Sequence, residues 1–142
     1  MAHRYDIELT AIDTLRASEA VDEDHARALA RDILSQQLWR TALPIERGSG
    51  LVMDGNHRLF AARLLGLRRI PCVLLDYTDS RVSVSAWADG QAFDLALLYG
   101  TLAAGRVLPY KTTRHRFRPA LPSINLPLAL LCQDPPLPLR QG

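Results

Sequence analysis

The 142-residue chain is poor in cysteine: Cys72 and Cys132 stand alone, with no CxxC spacing. That argues against a zinc site built on cysteine pairs and against a disulfide framework. Cys72 falls inside the apolar run 70–75 and reads as a buried structural thiol. Long hydrophobic runs are missing too, since no stretch approaches the ~20 apolar residues of a membrane span. Met-Ala-His-Arg-Tyr-Asp at the start lacks the apolar region of a secretion signal, so a reduced, cytoplasmic location is the expectation. Net charge is only +2, too little to mark a nucleic-acid partner by itself, and no internal repeat is visible. What remains is an ordinary globular composition, 48% hydrophobic and 23% charged, enough to bury one core without staples. Residues 1–132 read as one domain. Residues 133–142, which include Pro135, Pro136 and Pro138, read as a flexible tail.

Residues 6–10 suggest a short strand and 11–15 a connection. Ala26, Leu29, Ala30, Ile33 and Leu34 then recur at helical spacing, with Asp22 or Asp24 placed to cap the helix. Residues 43–46 and 51–53 read as strands joined by the turn Arg47-Gly48-Ser49-Gly50. A second helix is predicted over 57–65, closed by Gly66 in the left-handed conformation. Residues 70–77 follow as a buried strand, 81–87 as a half-buried one, and 93–104 as a third helix ended by Gly105. The order is α/β of the α+β kind, a single domain with a small mixed sheet flanked by helices.

The strongest chemical signal is Leu51-Val52-Met53-Asp54-Gly55-Asn56-His57-Arg58, a strand running through a glycine turn into a helix. The first amide N–H groups of such a helix are unpaired and, with the helix dipole, form an anion site. Gly55 lets backbone approach a phosphate, while His57 and Arg58 add donors. Asp54 would repel that anion, so its place there suggests a metal bridge or a proton acceptor. A second signal is the basic cluster of Arg106, Lys111, Arg114, His115, Arg116 and Arg118, with no acid among them. It reads as a solvated face, a polyanion patch or a pocket for a small phosphate ligand. Within it Lys111, Thr112, Thr113 and Arg114 offer two hydroxyls and two cations to phosphate oxygens. Nucleic acid is the less favoured partner, because only Tyr110 and Phe117 stand near for stacking. Glu19, in Arg16-Ala17-Ser18-Glu19, has no role that residue chemistry alone assigns.

Taken in order, Ile12-Asp13-x-Leu15-x-x-Ser18-Glu19, Leu43-Pro44-Ile45, the Asp54–Arg58 box, Ala61-Ala62-x-x-x-Gly66-Leu67, Ile70-Pro71 and Leu75-Asp76-Tyr77 resemble the ParB/sulfiredoxin-like superfamily. Trp87, Lys111-Thr112-Thr113-Arg114-His115 and Ile124-Asn125-x-Pro127-Leu128 extend the likeness to residues 5–131. The Asp-Gly-x-His-Arg form is similar to the free L-serine kinases; partition proteins carry a Gly-Glu-Arg-Arg-type box, and sulfiredoxins a cysteine where Asp54 stands. The resemblance implies transfer of a phosphoryl group from ATP or ADP to the hydroxyl of free L-serine, giving O-phospho-L-serine with Mg2+ as cofactor. It implies that Gly55, Asn56, His57, Arg58, Lys111, Thr112 and Thr113 hold the nucleotide phosphates. Glu19 would contact the amino acid and serve as candidate base, and Asp54 would share that role or organise Mg2+. Arg114 and His115 would bind the substrate carboxylate or the transferred phosphoryl group, with Trp87 walling the pocket. Two features depart from the family pattern: Asn56 replaces a histidine-type position, and only 88–110 separates Trp87 from Lys111, where the kinases carry a longer segment. The alternative is a nucleotide-binding regulatory or DNA-associated module without kinase activity.

Overall fold

The computed structural model describes residues 5–132. Its centre is strand β4 (Arg69–Leu75), whose apolar residues are buried on both faces. It pairs antiparallel with β1 (Ile7–Ala11) and parallel with β3 (Leu43–Glu46), so the sheet order is β1-β4-β3. Continuous apolar runs of this kind suit a strand covered on both sides. The expected single mixed sheet is therefore real but small, and two antiparallel pairs accompany it: β2 (Leu38–Thr41) with β7 (Ser123–Pro127), and β5 (Val82–Ala86) with β6 (Thr113–Phe117).

Helix α1 (Glu23–Gln36) begins where Asp22 accepts a hydrogen bond from the His25 amide at 3.2 Å, and it buries Ala26, Ala30 and Ile33. Leu34, counted among its apolar positions, is half exposed instead. Helix α2 (Asn56–Leu64) buries Leu59, Ala61 and Ala62 against the same cluster as Ile45, Val52, Ile70 and Cys72. Helix α3 (Leu95–Ala103), capped by Asp94, turns Leu98 and Leu102 toward Leu51 and Leu108. A four-residue helix α4 (Leu128–Leu131) closes the described chain.

Two segments carry the site. The turn at 47–50 ends at Gly50, at φ +73°, where an added Cβ would overlap the Thr14 carbonyl oxygen. That contact lets Arg16 donate to the Gly50 carbonyl and accept from the Val52 amide, which lays 16–18 alongside 50–52. On its other side, the same segment pairs with the chain after α3: the Leu108 amide donates to Ser18 and the Ala20 amide to Leu108. Glu19 thus lies between the start of α2 and the basic cluster.

Two features go beyond the expected elements. Half of the basic cluster, Arg114, His115 and Arg116, lies on strand β6. Strands β2 and β7 are unanticipated; the proline-rich segment makes a strand because Pro127 falls at its end. The flexible tail expected at 133–142 lies outside the described residues. Among the described residues, no helix is long and apolar enough to cross a membrane.

Candidate active site

Gly55 is the N-cap of α2 at φ +99°, and no side chain caps the helix. The first-turn amides therefore face outward with their donors available to an anion. A Cβ at Gly55 would come within 3.1 Å of the Leu43 side chain, so the position combines a left-handed backbone with close packing. Asp54, Gly55 and Arg58 line one side of a cavity of about 180 Å³, faced by Leu43, Pro44 and Ser123. The Asp54 side chain reaches solvent, yet the surrounding walls push its carboxyl above the usual range; the Gly55 N–H and the Arg58 guanidinium oppose the shift. Burial likewise lowers the Arg58 pKa, against the pull of Asp32 and Asp54.

His57 turns away from this cavity. Its Nε2 accepts the Asp22 amide at 3.0 Å, which leaves the proton of a neutral ring on Nδ1. The ring meets His25 edge-on, with centroids 4.9 Å apart, and Tyr110 at 5.2 Å. Burial first, then His25, holds its pKa down, while Asp22 and Glu19 pull it up.

Asn56 ties the motifs together. Its side-chain oxygen accepts the amides of Ser18 at 2.8 Å and Glu19 at 3.3 Å, and its NH2 donates to the Ser18 hydroxyl at 3.1 Å. Ser18 is itself buried and donates to the Val52 carbonyl at 2.6 Å. The Asn56 side chain is therefore committed to the backbone under Glu19, and only its own amide faces an anion at the helix start.

Glu19 in turn reaches the basic cluster. One carboxylate oxygen accepts the Lys111 amide at 3.1 Å; the other accepts the Thr113 amide at 2.8 Å and the Thr113 hydroxyl at 2.5 Å. Lys111 sits at φ +60°, in the left-handed region that a residue with a side chain seldom adopts. The Thr112 hydroxyl donates to the Pro109 carbonyl at 2.5 Å and closes the turn.

Strand alternation divides the rest. On β6, Arg114 points outward, its guanidinium 4.9 Å from the centre of the Trp87 ring, and Lys111 lies over the same ring at 5.6 Å. Trp87, Arg114 and Arg116 line a separate cavity of about 350 Å³. His115 points inward, its Nε2 2.9 Å from the Tyr77 hydroxyl, and burial lowers its pKa to about 4. The structure thus brings Glu19, Asn56, Lys111 and Thr113 into one bonded chain, and places His115 on the face opposite Arg114. Sequence reasoning missed the roles of Ser18 and Tyr77, whose partners lie 38 residues away in each case. No group of three or more metal-type ligands occurs among the described residues.

A solved free serine kinase in complex with AMP superposes with a TM-score of 0.79 at 14% identity, covering 90% of this chain and 94% of that one. The chain therefore shares the fold of that free serine kinase. In sequence, a ParB-like protein of Sulfolobus acidocaldarius is 32% identical over 56 residues, 39% of this chain and 28% of that protein. An ATP-dependent L-serine kinase of Desulfurococcus mucosus is 42% identical over 40 residues, 28% of this chain and 16% of the relative. The matched stretches therefore span less than a third of these curated relatives. No family model matches the chain.

Proposed function

We propose that this protein is a phosphotransferase that moves a phosphoryl group from ATP or ADP to the hydroxyl of free L-serine, giving O-phospho-L-serine. The observation that carries the reading is the bonded chain Asn56–Glu19–Lys111/Thr113, which assembles three distant motifs around one acid. Phosphoryl transfer needs placement and charge neutralisation more than covalent help, and the parts are of that kind. The open amides of α2, with Arg58 and Lys111, cradle nucleotide phosphates. In this reading Glu19 takes the proton of the acceptor hydroxyl, with Asp54 as the second carboxylate. Arg114 and Trp87 form one wall, while His115 lies on the opposite face of β6 against the Tyr77 hydroxyl and takes no part in it.

A Mg2+ ion fits this donor set only together with phosphates. Asp54 is a lone carboxylate beside the cavity, the ligand set of an ion that keeps water and phosphate oxygens in its shell. Asp54 would hold it, and its chemistry there is neutralisation of phosphate charge. The similarity of segments to ATP-dependent L-serine kinases supports the choice of acceptor.

The test is incubation of the protein with Mg2+, ATP or ADP, and a panel of hydroxy amino acids, with products read by mass spectrometry. Phosphoserine that disappears in folded Glu19→Ala and Asp54→Ala variants is the expected result. Nucleotide binding without any phosphorylated product would favour the regulatory module.

A further inference from the structure

We propose that the Glu19 carboxylate is an internal anion occupying the phosphate nest of the Lys111–Thr113 turn, and that a ligand phosphate binds there by exchange with it. The inference rests on the phosphate-binding role given to this turn above. The turn presents two amide N–H groups and a hydroxyl to a single carboxylate, that of Glu19, at 3.1, 2.8 and 2.5 Å. The amides of Lys111 and Thr113, on either side of Thr112, converge next to a left-handed residue, Lys111 at φ +60°. Backbone amides turned inward in this way make the concave donor set that holds anions in phosphate sites. A carboxylate with two oxygens on three donors satisfies such a nest as a phosphate would.

The backbone allows the exchange. Glu19 is pinned at its amide by Asn56, and its neighbours Ser18 and Ala20 are paired to Leu108. Leaving the nest requires only rotation of the Glu19 side chain, while the main chain stays in place. Exchange has a chemical consequence: while three donors hold the Glu19 oxygens they are not open to an acceptor hydroxyl, and displacement frees them beside the arriving phosphate. The base becomes available only when the donor nucleotide is seated.

The experiment is calorimetric binding of inorganic pyrophosphate and of AMP to wild type, Glu19→Ala and the double variant Glu19→Ala/Thr113→Val, at low and at 0.5 M salt (about a 4 Å screening length). Removing the resident carboxylate should tighten pyrophosphate binding by about tenfold, the scale of a charge-assisted hydrogen bond. That gain should survive at high salt, where a mere field effect of one lost charge is screened. Thr113→Val, which removes one nest donor, should weaken binding in the Glu19→Ala background. Equal or weaker binding by Glu19→Ala, or a gain that vanishes with salt, overturns the exchange. Overturning it while wild type still forms phosphoserine leaves the kinase reading intact. Tighter binding by Glu19→Ala without phosphoserine formation by wild type supports the exchange and removes the kinase reading.

Discussion

At the scale of single residues, Asn56 is the position whose chemistry differs most from its address. It opens the helix that offers amides to an anion, yet its side chain faces the backbone at 18 and 19. An asparagine can do this because one amide group both accepts and donates. Alanine would leave the Ser18 and Glu19 N–H groups without this acceptor and take from the buried Ser18 hydroxyl the bond it accepts, though not the one it donates to Val52. Asn56→Ala is expected to cost about 1–3 kcal/mol of stability. Through the loosened Glu19 it should also lower kcat by more than it raises KM for nucleotide. Steady-state kinetics with denaturant unfolding on the same variant checks both, and an effect confined to KM would return the Asn56 side chain to the phosphates. Gly55 and Gly50 show the opposite kind of residue, where the absence of a side chain is the contribution.

At the scale of elements, the pairing of β5 with β6 sorts the basic cluster into two chemistries. Outward positions carry Arg114 and Arg116 with Trp87; inward ones carry Thr113, His115 and Phe117 against the core. Burial holds the folded pKa of His115 at about 4, well below the ordinary 6.5. The unfolded chain then binds more protons than the folded one between those values, so stability must rise with pH across that window. It is complete above about 7 and falls as the pH drops toward 4, by on the order of 3 kcal/mol for the full shift. His57, also lowered, acts in the same direction. Thermal unfolding of wild type and His115→Gln between pH 7 and 5 should show a shallower slope in the variant; parallel curves would refute the burial argument.

For the molecule as a whole, the site exists because three separate stretches meet along 16–20. The close approach at Gly50 to Thr14 is what permits that meeting. Gly50→Ala combines a left-handed backbone with an overlap against main chain, so it should destabilise by at least about 2 kcal/mol. It should also weaken nucleotide binding although no ligand group touches it, which unfolding curves paired with calorimetry would test. Much of the fold was legible beforehand: β4 as a continuous apolar run, α1 as a periodic stripe with its Asp22 cap, α2 as a helix closed by Gly66, and the strand–glycine–helix step that opens the amides of α2. Those are local facts, set by residue spacing and by backbone preferences within a few positions. The box at 54–58 and the turn at 111–113 could be singled out for the same reason. The pairing of β2 with β7 was not, because four-residue strands carry almost no pattern and gain their hydrogen bonds only from a distant partner. Nor could spacing assign Glu19 its three donors, Asn56 its inward-facing amide, or His115 and Arg114 their opposite faces. Each of those depends on which backbone groups the folded chain brings within 3 Å, and only tertiary structure decides that.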